Sequence, residues 1–388
     1  MQPVDLSGFE EEAGTFAEDG LGPLRLKSFV ETQAGYDSNP ARSSNAMGSA
    51  TEQVRAGSAF QSPTDDGLLR GSIEAGYDHY NQLPMFDTPT AKARLTSINH
   101  IDADTFLRAD VYGKVSTHLP GTPDLPNTLT NRPLYSQIGT SVDAEHRIDR
   151  LHLGLRGSVD RYASQDGTEA DGSISKLSDS NNVRYGAVAT VGYDVTPGFR
   201  PFVSVGADKR VHDNSVDSNG YQRDSTGYEV KGGVRMDVAQ HLVGYVDAGY
   251  RDRFYVDPRF GQRPGFVADA SLTWTPSSWT KVVLGAKVTE SDTTVANSAS
   301  VVSDVVSLDV KQRIAPDFSI GAKASLGRSD YSGVGLTQWT DKEQLALLYD
   351  VSKEVVLKGS VAREHVLSLG GGSNMTRNVF LAGVRYQQ

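Results

Sequence analysis

The chain has no cysteine in 388 residues, which excludes disulfides, thiol nucleophiles and cysteine-ligated metal centres. It also lacks any run approaching 18 consecutive apolar residues, so no transmembrane helix is expected. Mean hydropathy is -0.39. That value does not bear on a β-barrel, whose lipid face uses only alternate residues. Met1-Gln2-Pro3 has neither the basic nor the apolar segment of a secretory leader, so for an exported protein the expectation is a mature sequence with an added initiator Met. A formal charge of -10 argues against nucleic acid as a partner. The eight histidines are scattered, and no Ser/His or Asp/His constellation supports a hydrolase. His146 and His152 flank a short turn and read as structural polar residues. Gly370-Gly371-Gly372 lacks the strand–helix context of a phosphate cradle. No enzyme, cofactor or metal site is expected.

What the chain does have is alternation. From Asn181 to His212, Val183, Tyr185, Ala187, Ala189, Val191, Tyr193 and Val195 share one parity, while Arg184, Gly186, Thr190, Gly192 and Asp194 hold the other. After Pro197-Gly198 the pattern resumes with Val203, Val205 and Ala207 against Ser204, Asp208 and Arg210. This is a hairpin of two long strands with one apolar and one polar face. The unit recurs from about residue 24 to the C-terminus, giving eighteen strands near 24–36, 51–61, 68–80, 91–102, 105–117, 135–148, 150–162, 182–195, 201–212, 225–238, 241–253, 264–275, 279–291, 300–314, 317–329, 340–351, 354–367 and 376–386. Short connections such as Ala315–Asp317 and Ala239-Gln240 alternate with long polar ones such as 37–50, 118–134 and 163–181. Short turns at one end and long loops at the other are the pattern of an outer-membrane barrel. The expected fold is therefore all-β, a single transmembrane antiparallel barrel over residues 23–388. Residues 1–22 form an acidic periplasmic tail.

Parity separates two faces. One carries Leu69, Ile73, Ala75 and Tyr77, then Leu151, Leu153, Leu155 and Val159, and is read as facing lipid. Outward aromatics sort to the strand ends, with Tyr36, Tyr77, Tyr185, Tyr228 and Tyr250 near the long loops. Phe60, Tyr193, Trp274, Phe318, Tyr349 and Tyr386 lie near the short turns. Two such girdles fit the two membrane interfaces. Cross-strand aromatic packing alone would not sort them to the ends. A soluble sandwich would rarely sustain strands of this length eighteen times, and a propeller would repeat a blade motif that is not found. Outward charges, including Arg161, Asp252 and Arg363, are expected toward strand ends.

Two segments carry a family resemblance. The first strand ends in Ala34-Gly35-Tyr36-Asp37-Ser38-Asn39-Pro40, which resembles the opening of the beta-barrel porin 2 family of Gram-negative outer-membrane barrels. The final strand, Asn378-Val379-Phe380-Leu381-Ala382-Gly383-Val384-Arg385-Tyr386, resembles the C-terminal signal read by the outer-membrane assembly machinery. It departs in that Gln387 and Gln388 follow the aromatic. The resemblance implies a bacterial outer-membrane channel, with exopolysaccharide export among the roles of its relatives. Implied partners are outer-membrane lipid and lipopolysaccharide, the assembly machinery and periplasmic polysaccharide-export proteins.

The opposite parity supplies pore-lining candidates: Arg25, Arg55, Arg70, Arg94, Arg108, Lys114, Arg156, Arg184, Arg210, Lys231, Arg235 and Arg251, with Glu74, Asp110, Asp208 and Asp247. Basic residues modestly outnumber acidic ones on this face, so the excess acid must lie in the loops and tail. Basic rings favour anions. The plainer reading is that these charges pair across strands, and Asp208/Arg210 and Arg235/Asp237, two apart, suggest local pairing. Loop 118–134, stiffened by Pro120, Pro123, Pro126 and Pro133, is expected to fold into the pore as a constriction rather than cap it from outside. Asp166, Glu169, Asp171 and Asp179 in loop 163–181 read as solvated, since no calcium-loop spacing is present. The expected function is passive passage of polar solutes, with carbohydrate (exopolysaccharide) preferred. The alternative is a general diffusion porin for small polar or anionic solutes. A blocked structural barrel and an outer-membrane hydrolase are the competing classes.

Overall fold

The computed structural model describes residues 24–125, 129–238 and 241–388. The expectations for the acidic tail, for Pro126 and for the Ala239-Gln240 turn lie outside the described residues.

Alternating sequence makes strands, and the strands close on themselves. The first nine are β1 (Arg25–Asp37), β2 (Ser49–Thr64), β3 (Gly67–Tyr80), β4 (Thr88–His100), β5 (Thr105–Thr117), β6 (Leu134–Ile148), β7 (Leu151–Ser164), β8 (Asn182–Tyr193) and β9 (Phe199–His212). The remainder are β10 (Ser225–Val238), β11 (Leu242–Tyr255), β12 (Gln262–Ser277), β13 (Thr280–Ser291), β14 (Val301–Ala315), β15 (Phe318–Tyr331), β16 (Leu336–Asp350), β17 (Val355–Leu369) and β18 (Met375–Gln387). Each pairs antiparallel with the next, and β18 returns to β1 from Phe29↔Gln387 to Asp37↔Val379. The eighteen-stranded sheet has no edge strand, so backbone groups find partners without water, as hydrocarbon demands. The turns at one end are tight. Asp149 takes φ 55° between β6 and β7, and Gly198 takes φ 78° where a Cβ would meet the Asp237 carbonyl oxygen at 2.0 Å.

The outward parity is the exposed apolar one. Ile73, Leu155, Val203, Val230 and Leu284 all face outward with large exposed surface. Tyr36, Tyr77, Tyr185, Tyr228 and Tyr250 are exposed at the long-loop ends, and Tyr193, Trp274, Tyr349 and Tyr386 at the short-turn ends. Arg161 and Asp213 pair at 2.5 Å on the outward surface near a strand end. Arg363 departs from its expectation. It is mid-strand in β17, and its ladder partner is Glu343 of β16, beside the Asp341–His365 pair at 3.2 Å. An opposite charge across the ladder lowers the cost of that outward position.

The wall has one irregular seam. The ladder between β12 and β13 starts at Asp269↔Lys287, leaving Gln262–Ala268 of β12 without register partners in Val288–Ser291 of β13. There the end of β13 parts from β12 and leans inward, while β14 stays in register with β15 from Val301↔Tyr331. Arg210 of β9 donates to the Glu290 carbonyl at 3.0 Å and to Asp292 at 2.8 Å. Glu290 thus lies inside the barrel although its parity is outward. Ala299, beyond β13, packs with Tyr221, Tyr255 and Phe260, an apolar cluster formed by the long loops.

Candidate channel lumen

All sixteen pore-lining candidates lie on the strand face opposite the exposed apolar residues, and most are paired. Asp110 of β5, 3% exposed, takes Arg94 at 2.9 Å and Arg108 at 2.6 Å, with Thr96 donating at 2.6 Å. Arg156 meets Asp143 at 3.5 Å, Arg184 meets Asp208 at 3.5 Å, and Lys231 meets Asp247 at 3.4 Å. Arg55 meets Asp78 at 3.6 Å. Arg25 and Arg70 sit toward the short-turn end.

The expected local pairs are not the main ones. Arg210 lies 3.8 Å from Asp208 but 2.8 Å from Asp292, which the inward-leaning end of β13 brings in, and Arg235 reaches Glu145 of β6, four strands away, at 3.8 Å rather than Asp237. Long side chains on the concave inner face reach past their own strand. Glu145 also takes His152 at 2.8 Å and Arg200 at 3.0 Å. His152 turns its other nitrogen to Asp194 at 2.7 Å, so this histidine is a structural link near the short turns.

The densest charge cluster fills the β9–β13 side of the lumen. Arg253 of β11 is fully buried, with Nη2 on Asp208 at 2.8 Å and Nε on Glu290 at 2.8 Å. Arg251 adds a second contact to Glu290 at 3.2 Å, and Ser300 donates to the same carboxylate at 2.7 Å. Gly227 of β10 makes the room, since a Cβ there would lie 2.8 Å from Arg253 Nη2 and 2.6 Å from Asp208 Oδ1.

The described start of the β5–β6 loop, residues 118–125, reaches across the long-loop end of the barrel. Its Pro120 carbonyl accepts from Arg42 at 3.0 Å, and its Gly121 carbonyl accepts from Gln338 of β16 at 3.2 Å. Asp124 accepts from Thr293 at 2.5 Å, Thr294 N at 2.8 Å and Tyr331 of β15 at 3.1 Å. β15 and β16 stand on the far side of an eighteen-strand wall, so these ties span the opening. Leu125 is 4% exposed under them. Asp179 of the neighbouring loop is buried rather than solvated, accepting from Asn214 at 3.1 Å and Ser218 N at 2.8 Å.

Beneath the crossing loop, between β1–β5 and β16–β18, lies a cavity of about 210 Å³. Arg55, Glu74 and Lys114 of the candidates line it. Lys92, Lys342, Arg377, Glu364, Arg42 and Arg132 line it too and were not among them. Inward parity on β4, β16, β17 and β18 could have revealed the first four. Arg42 and Arg132 are in loops, where parity has no meaning. Glu364, 2% exposed, holds Arg42, Lys342 at 3.0 Å and Arg377 at 3.9 Å. Arg377 turns mainly to Asp37 at 2.6 Å, and Lys358 to Glu31 at 2.6 Å.

Comparison with solved structures finds barrels at low identity. The chain is similar to the copper transporter OprC (11% identity, TM-score 0.49, 95% of this chain and 82% of that one). It is also similar to the siderophore receptor PiuA from Acinetobacter baumannii (10%, 0.47, 93% and 82%) and to PirA from Pseudomonas aeruginosa (9%, 0.44, 94% and 80%). No curated protein matches. The family model described as "Putative beta-barrel porin 2" matches residues 19–388, nearly the whole chain and all eighteen strands, so the chain belongs to the beta-barrel porin 2 family.

Proposed function

We propose that the chain is a passive outer-membrane channel for small polar solutes, carbohydrates among them. Family membership and the closed barrel support a membrane channel. The charged inner wall supports polar cargo. The observation that carries the size limit is the β5–β6 loop, tied to β15, β16 and the β13–β14 connection across the mouth. A polysaccharide chain would have to displace all these ties to thread through, whereas a small polar solute would need only a gap beside them. This favours the diffusion-porin reading over exopolysaccharide export.

The test is single-channel conductance of purified protein in planar bilayers, with liposome swelling in neutral and acidic sugars of increasing size. Stable open currents and uptake that falls off beyond small oligosaccharides are expected. Absence of current would overturn the channel in favour of a structural barrel. Loss of surface polysaccharide on deleting the gene would restore the export reading.

A further inference from the structure

We propose that the cavity under the β5–β6 loop is an anion subsite, in which Arg132 and Lys114 hold the carboxylate or phosphate group of a small hydroxylated solute. It deepens the channel reading by naming the chemical class of cargo.

The wall of the cavity bears eight cationic side chains and three anionic ones. The three carboxylates are already engaged: Glu74 by Lys92 at 3.1 Å, Asp78 by Arg55 at 3.6 Å, and Glu364 by the three cations described above. Arg132 and Lys114 are different. Among the described residues, no carboxylate lies within 4 Å of either. Arg132 enters from the crossing loop, donates Nη1 to the Phe86 carbonyl at 2.6 Å and to Thr88 Oγ1, and stacks its guanidinium 5.6 Å from the Phe86 ring. Its Nε is buried and bonds nothing. Burial pushes its pKa down to about 10, which leaves it a cation at neutral pH. Lys114 of β5 lies 5.9 Å over the Tyr135 ring, and the Tyr135 hydroxyl is also buried without a partner. Thr117 Oγ1, at the end of the same strand, is a further orphan on the cavity wall.

A half-buried cation whose nearest carboxylate, Asp78, lies beyond contact is poorly compensated, and a bound anion reduces that cost. A guanidinium offers a planar fork to carboxylate or phosphate, and an ammonium adds a compact charge beside it. Around them stand Thr88, Thr90, Ser116, Thr117 and Gln344, which can exchange hydrogen bonds with sugar hydroxyls. A cavity of about 210 Å³ is large enough for a sugar-sized group.

The test is calorimetric titration of folded protein in detergent with glucuronate, glucose 6-phosphate, glucose and inorganic phosphate. Both acidic sugars are expected to bind, with glucose weaker by on the order of tenfold or more. Arg132→Gln and Lys114→Gln should each weaken the acids by a similar factor. Arg147→Gln, which breaks an exposed pair with Asp104 at the short turns, should leave binding unchanged. A heat-shift gel confirms that each variant still forms a barrel. Equal binding of glucose, or full affinity in both cavity variants, would overturn the subsite. Inorganic phosphate binding as tightly as glucose 6-phosphate would overturn the sugar part of the assignment. In bilayers, open current that neither acid blocks removes the subsite and keeps the channel. Acid binding without any current removes the channel and keeps the subsite.

Discussion

Arg253 shows what the inner face asks of a single side chain. It is fully buried, it bridges Asp208 and Glu290, and Gly227 leaves room for its guanidinium, which a Cβ there would crowd. Truncating it would leave the buried Glu290 with Arg251 alone and the half-buried Asp208 with Arg184 and Arg210, a loss below the roughly 3–5 kcal/mol of a buried pair left with no partner. Arg253→Ala should therefore lower the temperature at which the barrel unfolds on a heat-shift gel, while Arg147→Ala, on an exposed pair, should shift it little. Part of this site was legible in the sequence. Strand parity placed Arg251, Arg253, Asp208 and Arg210 on one face. Glu290 was not legible, because its parity is outward and only the departure of β13 from the wall turns it in.

At the scale of elements, two segments narrow the mouth. The β5–β6 loop was recognisable from its length and its prolines, but its partners, Arg42, Gln338 and Tyr331, lie far away in the chain and no local signal points to them. Removing residues 119–125 should open the mouth and raise single-channel conductance severalfold, with the barrel itself unchanged on a heat-shift gel. The β13–β14 hairpin is anchored through Asp292, just outside β13. Burial works to raise its pKa, but Arg210 outweighs this and holds it down to about 2. A carboxylate with a depressed pKa stabilises the folded arrangement above its ordinary value of about 3.9 and loses that contribution as pH falls through the folded value. The anchor should hold at pH 5 and weaken between about pH 4 and pH 2. Conductance should rise over that window in wild type, and Asp292→Asn should show the raised value already at pH 7.

At the scale of the molecule, the number and order of strands were legible because each strand must present one face to lipid and one to water, and that demand is written into every second residue. Closure was legible only by inference. What fixes it is the ladder between β1 and β18, whose members stand more than 300 residues apart. Deleting Met375–Gln388 would leave β1 and β17 as free edges, and the expected outcome is no heat-modifiable barrel at all. The net charge of -10 is also a property of the whole. Paired charges fill much of the inner wall, so the acid excess falls on segments outside it.

A closed tube under load shares tension around its circumference, and a slit concentrates that tension at its tip. The unpaired stretch between β12 and β13 is such a slit, ending at Asp269 and Lys287. When a barrel of this kind is drawn out of a bilayer by one end, it comes apart hairpin by hairpin. The β13–β14 pair should come free at a lower force than its neighbours, since one of its two flanking zippers is already partly undone. Single-molecule pulling from the C-terminus would read that as a reduced force peak at the third hairpin from the end.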